Sequence, residues 1–113
     1  MIHAAAQNKH YNCFVKKETL LPFIVMPDAI NAIFMIMQAN RKNLKNNVYN
    51  ITSFSEKAEE FYNIIKKHFH NFSISYEINL PRQNIVDSWP NCINHTAARS
   101  DWGWYPNYNL NYA

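Results

Sequence analysis

Glycine is nearly absent from this sequence, since Gly103 is the only one among 113 residues. A turn that cradles a dinucleotide pyrophosphate needs two or three glycines, because its backbone adopts positive φ and approaches the phosphates closely. A phosphate-binding P-loop has the same requirement. Gly103 lies too near the carboxyl end to supply either turn. The sequence therefore excludes nucleotide binding through a glycine-rich loop.

Signals for several other classes of protein are also missing. No apolar run approaches the ~20 residues that span a bilayer. The first residues, MIHAAAQNKH, lack the basic start and apolar core of a signal peptide. The net charge is only +3 and the basic residues are scattered, so a nucleic-acid partner is not indicated. Cys13 and Cys92 lie far apart in the sequence, which predicts two reduced thiols rather than a disulfide framework.

The hydrophobic fraction of 48% in 113 residues is enough for one packed domain, residues 1–113. The hydrophobic periodicity predicts a mixed α/β fold. The predicted order is the end of a helix at the start of the chain, then strands at 11–15 and 20–26, a helix at 27–39, a strand at 48–51, a helix at 55–69, a strand at 73–77, a loop at 79–95 and a short helix at 97–102 with Thr96 as its N-cap and Gly103 after its end.

The helix predicted at 27–39 is apolar almost all round, because Asn31 and Gln38 are its only polar residues after position 28. A helix of this kind is covered on more than one side. In so short a chain, this indicates a missing partner surface. Pro27 suits the first turn, and Asp28 complements the partial positive charge of the helix N-terminus.

The helix predicted at 55–69, with Ser55 as its N-cap, contains a Tyr-x-x-x-Lys spacing at Tyr62 and Lys66. In short-chain dehydrogenases, that spacing lets the lysine lower the pKa of a catalytic tyrosine. Tyr62 falls on the apolar face and no glycine-rich turn precedes it, so we interpret it as a core residue. No metal site is predicted either, because the candidate ligands have no fixed spacing: His68, His70, His95 and Cys92.

The stretch RQNIVDSWPNCINHTAARSDWGW, residues 82–104, concentrates three tryptophans, two arginines and two aspartates. Each indole adds a large apolar area and an N–H that needs a partner, and guanidinium groups suit carboxylate or phosphate. For its first part, two interpretations remain open: a pocket wall in which Arg82, Asp87 and Trp89 orient a small polar ligand, or core residues. For DWGW, we predict that the two tryptophans close a core while Arg99 and Asp101 pair at its edge.

The motifs taken together resemble one family. They are IHAA and YNC near the start, LPFIVMPDAINA, VYNI followed by SF, FSISYE, RQNIVDSWP and ARSDWGW, and they cover nearly the whole chain. The chain resembles the C-terminal part of the NAD-dependent L-threonine 3-dehydrogenases of the extended short-chain dehydrogenase type. DSWP and DWGW at this spacing are the most diagnostic elements. The strand–PDA–helix and VYN elements are shared with sugar-nucleotide epimerases of the same fold.

The resemblance implies a small mixed α/β substrate-binding lobe without its Rossmann domain. In that family, the absent domain carries the NAD turn and a catalytic tyrosine, which removes the substrate hydroxyl proton while hydride passes to NAD to give 2-amino-3-oxobutyrate. We therefore expect no catalytic residue, metal or NAD site in this chain. The positions expected nearest to L-threonine are Arg82, Asp87, Ser88 and Trp89.

Several positions depart from the family pattern, including Asn94 and His95, where aspartates are usual, and LPFIV in place of LPMMY. Two alternatives stay open. The chain is either a non-catalytic module that binds a full-length homologue, or the lobe of a sugar-nucleotide epimerase in which Arg82 faces a phosphate. The expected partners are L-threonine in the parent enzyme and either a full-length homologue or further copies of the chain. The resemblance implies a cytoplasmic protein, or a mitochondrial one for an animal-type form.

Overall fold

The computed structural model describes residues 1–112, and it confirms the mixed α/β fold class. The helices and strands are α1 Ile2–Ala6, β1 Tyr11–Cys13, β2 Leu20–Phe23, α2 Met26–Gln38, a 3-10 helix at Arg41–Asn43, β3 Phe54–Lys57, α3 Ala58–His68, β4 Ile74–Tyr76, α4 Leu80–Asp87 and α5 Thr96–Trp102. Strand β1 pairs with β4, and β2 pairs with β3. Two compact units can be distinguished: a first unit of residues 1–21 and 56–90, and a second unit of residues 22–55 and 91 onward.

The first unit is built on the parallel pair β1–β4, in which Tyr11 lies opposite Ile74. Its apolar cluster consists of Ala5, Ile65 and Phe72, all buried. Ile65 comes from the amphipathic helix α3, whose apolar positions recur at helical spacing. The cluster therefore joins the start of the chain to the segment that leads into β4.

The second unit has its own apolar cluster, formed by Ala32 of α2, Ala98 of α5 and Trp104. Both alanines are almost fully buried, so their small side chains let the two helices approach the indole closely. Gly103 ends α5 in the left-handed conformation at φ 75°, as predicted.

The expected strand at 48–51 is not present, and the expected start of the next helix is also wrong. Residues 54–57 form β3 instead, and α3 begins only at Ala58, with Lys57 rather than Ser55 as its N-cap. The backbone N–H groups of Ala58 and Glu59 donate to the carbonyls of Thr19 and Lys17, at 3.1 and 3.0 Å. Because these carbonyls satisfy the first helical N–H groups, no serine cap is needed. Pairing with β2 is a long-range interaction that the local sequence does not indicate.

Replacing Gly103 by alanine is expected to destabilise the isolated chain by about 1 kcal/mol, the lower end of the cost of a left-handed backbone for a residue with a Cβ. The added Cβ would meet nothing within 4 Å, so the cost is conformational. Urea unfolding followed by circular dichroism measures it. The matched control is Asn8→Gly, because Asn8 already has φ 53° and glycine relieves that strain. Equal midpoints for Gly103→Ala and the parent chain would contradict the assignment.

Candidate functional site

The four residues predicted nearest to the substrate lie on α4 or directly after it, in a region expected to be a loop. That expectation is wrong because Asn79 caps a helix: its Oδ1 accepts the Arg82 N–H at 3.1 Å. Pro81 occupies the first turn, where its missing N–H breaks no helical hydrogen bond. The sequence Asn-Leu-Pro therefore contained a helix-start signal, an N-cap followed by an early proline.

Arg82 lies across an aromatic ring. Its guanidinium carbon is 4.8 Å from the centroid of the Phe14 ring, within the range of a cation–π interaction. The Phe14 carbonyl also accepts the N–H of Asn79 at 2.9 Å. The stacked, exposed guanidinium is held in place and still has donors for a carboxylate or phosphate.

Asp87, Ser88 and Trp89 form a group at the carboxyl end of α4. The Ser88 hydroxyl donates to the Ile85 carbonyl at 2.6 Å, and the Trp89 N–H donates to the Val86 carbonyl at 3.0 Å. The Trp89 side chain is 53% exposed, so it is not a core residue. An exposed carboxylate, hydroxyl and indole therefore follow one another on a short, fixed stretch of backbone.

Arg82 does not join this group directly. Within the described residues, no ion pair links Arg82 to Asp87. Five helical positions separate them, which turns their side chains roughly 140° apart around the helix axis. The structure thus brings three of the four predicted residues together and leaves Arg82 beside Phe14.

Gln83 is a buried residue that the sequence did not reveal, with 2% of its surface exposed. Its Oε1 accepts the Lys16 N–H at 2.8 Å, while its Nε2 donates to Thr19 Oγ1 at 3.1 Å and to Asp87 Oδ1 at 2.6 Å. An amide fits here because one side must accept and the other must donate. A lone glutamine in a polar stretch shows no such role, since its partners lie as far as 67 positions away.

Gln83 fixes Asp87 in two ways. It bonds the carboxylate directly across one helical turn, and it fastens α4 to residues 16–19 through the other end of its amide. Buried networks of this kind restrict a site to one geometry when each member has its partner. The Asp87 carboxylate is therefore preorganised.

Tyr11 and Tyr76 of the first unit are poor candidates for a general base. Burial raises the pKa of both Tyr11 and Tyr76, and the nearby Cys13 raises each further. These phenols stay protonated at neutral pH. Tyr62 packs against the first-unit cluster, as predicted, and its Tyr-x-x-x-Lys partner Lys66 donates instead to the Phe72 carbonyl at 2.7 Å.

The DWGW segment forms a core, but its expected ion pair is wrong. Trp104 is fully buried and its ring centroid lies 6.0 Å from that of Trp102. Asp101 accepts from the Tyr49 hydroxyl at 2.7 Å, whereas the Arg99 guanidinium stacks on Tyr105 at 4.9 Å. Residues two apart on a helix do not face each other, so Arg99 and Asp101 take separate partners. Neither buried indole N–H has an acceptor within residues 1–112, contrary to expectation.

The chain offers no glycine-rich turn of the kind that cradles a dinucleotide. Its single glycine ends α5 and opens no helix, so the backbone cannot cradle a pyrophosphate in the way such turns do. Among the described residues, no group of three His, Cys, Asp or Glu side chains could hold a metal ion. In the same part of the chain, no helix has the length and apolar character to cross a bilayer.

Comparison with known proteins gives consistent matches across nearly the whole chain, although no family model matches it. An uncharacterized epimerase/dehydratase of Staphylococcus saprophyticus is 37% identical over 107 residues, 94% of this chain and 33% of the relative. The mitochondrial L-threonine 3-dehydrogenase of Bos taurus is 33% identical over 110 residues, 97% of this chain and 30% of that enzyme.

Solved structures agree with the sequence matches. The apo form of a GalE-like L-threonine dehydrogenase from Cupriavidus necator superposes with a TM-score of 0.91 and 37% identity, covering 97% of this chain and 40% of that one. The chain spans about a third of the length of the curated relatives it matches, 33% in the staphylococcal case. The matched region is the C-terminal part of these proteins.

Gln83→Leu is expected to destabilise the chain by about 2 kcal/mol, because it leaves the Lys16 N–H without its acceptor. Gln83→Glu should be similarly harmful, since it places a second carboxylate against Asp87. Adding Asp87→Asn to Gln83→Glu restores a donor facing an acceptor and should recover most of the loss. Urea unfolding at neutral pH measures all three variants.

The exposed Gln7 provides the matched control, and Gln7→Glu should change stability by less than about 0.5 kcal/mol. A double variant no more stable than Gln83→Glu would contradict the Gln83–Asp87 contact.

Proposed function

The chain is homologous to the C-terminal part of L-threonine 3-dehydrogenases and epimerase/dehydratase-like proteins, and from this we propose that it serves as the substrate-side lobe of an L-threonine 3-dehydrogenase. The observation that carries the proposal is the match to the Cupriavidus necator enzyme, with a TM-score of 0.91 over 97% of this chain. The reaction would be the NAD-dependent oxidation of L-threonine to 2-amino-3-oxobutyrate, with its redox step performed outside these residues.

The group at the end of α4 suits the recognition of an amino acid. In the proposed lobe, the Asp87 carboxylate attracts the substrate ammonium group, the Ser88 hydroxyl supplies a neutral hydrogen-bonding group, and the Trp89 indole covers the apolar part of the side chain. The burial of Gln83 supports this assignment, because a preorganised carboxylate binds a cation with less loss of side-chain entropy. Arg82 lies on another side of α4, beside Phe14, and is not assigned a contact with this small substrate.

The chemistry that NAD supplies requires a cofactor-binding domain. The chain holds one glycine, and the pKa of each of two first-unit tyrosines, Tyr11 and Tyr76, is raised rather than lowered. One glycine is too few for a nucleotide-binding turn, and a raised pKa does not suit a tyrosine that acts as a base. We expect the 113 residues on their own to bind no NAD and to oxidise no substrate. We place the protein in the cytoplasm, or in mitochondria if it shares the location in the bovine relative's name.

A second candidate function is the equivalent lobe of a sugar-nucleotide epimerase, in keeping with the epimerase/dehydratase name of the staphylococcal relative. Arg82 would then face a phosphate, since its guanidinium is exposed and already oriented by Phe14. Stabilisation of the chain by a UDP-sugar but not by L-threonine, seen as a shift in the thermal midpoint, would favour this candidate.

The test of the main proposal joins this chain behind the amino-terminal part of the Cupriavidus necator enzyme. We expect L-threonine-dependent NADH formation by the chimaera and none by the 113-residue chain. Trp89→Ala should raise the KM for L-threonine by roughly 10-fold and change kcat less, because it removes pocket packing. Tyr112→Ala, at an aromatic side chain 75% exposed elsewhere in the sequence, should leave both constants unchanged.

Two results would contradict the proposal. A folded chimaera that oxidises no L-threonine would remove the assigned activity. Threonine-dependent NADH formation by the pure chain would show that no further domain is needed. An unchanged KM in Trp89→Ala would exclude Trp89 from the site.

A further inference from the structure

A polar hollow of about 350 Å³ lies in the second unit, where the segment after α2 meets α5. Two ammonium groups, an amide, a hydroxyl and a carboxylate line it, from Lys42, Asn43, Lys45, Ser100 and Asp101. Its volume falls within the range of small-molecule sites, roughly 300 to 1,000 Å³. The hollow shares no residue with the group at the end of α4, which belongs to the first unit.

The Asp101 carboxylate gives the hollow a buried acceptor that is only half used. Its side chain is 4% exposed. Oδ2 accepts from the Tyr49 hydroxyl at 2.7 Å and from the Lys45 N–H at 3.3 Å, whereas Oδ1 accepts no hydrogen bond from residues 1–112. The Lys45 Nζ lies 3.9 Å from Oδ1, too far for a hydrogen bond. A buried carboxylate oxygen is costly without a donor, so a ligand that donates to Oδ1 would be favoured.

The loop that carries the two lysines is held in place. In its 3-10 helix, the Lys42 N–H donates to Asn40 Oδ1 at 3.0 Å. Farther along, the Lys45 N–H donates to Asp101 Oδ2 and so fastens the loop to α5. The Tyr49 hydroxyl donates to the same oxygen, so three parts of the second unit meet at this carboxylate. A binding surface with a fixed backbone loses less entropy when a ligand binds.

The hollow has a net positive charge. Two lysines against one carboxylate leave one positive charge among the lining residues, and the exposed Arg41 precedes them on the 3-10 helix. In the described part of the chain, Lys42 forms no ion pair, and Lys45 forms only the loose pair with Asp101. Ammonium groups beside a serine hydroxyl donate to phosphate or carboxylate oxygens. The charge therefore favours an anionic ligand.

The donor to Asp101 Oδ1 is expected to be neutral. A ligand ammonium group on this oxygen would lie near the Lys45 ammonium group and be repelled by it. A hydroxyl donates to Oδ1 without that repulsion, and a hydrogen bond to a carboxylate is roughly twice as strong as one between neutral groups. A ligand that suits both parts of the hollow thus carries an anionic group and a hydroxyl.

We propose that this hollow binds a small anion that carries a hydroxyl group, either a hydroxycarboxylate or a phosphate ester of a polyol. The hydroxyl donates to Asp101 Oδ1, and the phosphate or carboxylate oxygens accept from Lys42, Lys45 and Ser100. No residue of the α4 group takes part. The site therefore goes beyond the proposed function and does not depend on it.

Titrations of the 113-residue chain followed by amide NMR test the site with two pairs of ligands. Glycerol 3-phosphate is compared with propyl phosphate, and lactate with propionate, because each pair shares its anion and differs in hydroxyl groups. We expect saturable shifts at the amides of residues 42–45 and 100–101, with a Kd of roughly 1 mM for the preferred hydroxylated ligand. Its partner without a hydroxyl should bind about 10-fold more weakly. The tighter pair identifies the anion as phosphate or carboxylate.

Two lysine variants separate a built site from general attraction of anions. Lys42→Gln should weaken binding of the preferred ligand at least threefold, because it removes a charge that contacts the anion. Lys67→Gln removes the same charge from α3 in the first unit and should change the Kd by less than about 1.5-fold. Both side chains are exposed, so both variants are expected to fold.

Three results would overturn the proposal. Shifts that stay linear to about 50 mM for both hydroxylated ligands would exclude a site of this strength. Equal affinities within each pair would remove the hydrogen bond to Asp101. Equal weakening by Lys42→Gln and Lys67→Gln would show that the net charge of the chain, and not the hollow, attracts the anion.

Discussion

The buried Asp28 carboxylate is the interaction on which the second unit depends. Its Oδ2 accepts from the Ser53 hydroxyl at 2.6 Å and from the Tyr108 N–H at 3.3 Å, and its Oδ1 accepts from the Asn107 N–H at 3.0 Å. One side chain in the first turn of α2 thus joins parts of the chain as far as 80 positions apart. Among residues 1–112, the apolar cluster of this unit has three buried members, so the hydrogen bonds of Asp28 contribute strongly to fixing the start of α2.

Local signals in the sequence were sufficient for some elements and insufficient for others. Pro27 and Gly103 act through their own backbone conformations, so the start of α2 and the end of α5 could be predicted to within one residue. The role of Asp28 could not, because its donors lie far along the chain. The strand at 54–57 could not be predicted for the same reason, because the fold and not the neighbouring residues brings its partner β2 to it. Propensity is a weak guide where pairing is long-range.

The candidate site also combines residues that could be predicted with contacts that could not. The family resemblance implies Arg82, Asp87, Ser88 and Trp89 as site residues. The local sequence pattern predicts a loop where the structure has the helix α4. An Asn cap and a proline in the first turn start α4, and the same two residue types are also common in loops. The burial of Gln83 could not be predicted from the sequence. A buried glutamine differs from an exposed one only in its partners, and the fold brings Lys16 and Thr19 to it. The separation of Arg82 from Asp87 follows once α4 is known.

The lack of glycine and the exposed apolar side chains of α2 lead independently to one conclusion. The first concerns backbone freedom, since a chain with one glycine cannot form a nucleotide turn. The second concerns burial, since a 13-residue helix whose only charged residue is buried needs a cover. Both features are consistent with the match of this chain to the C-terminal part of larger epimerase/dehydratase-like proteins.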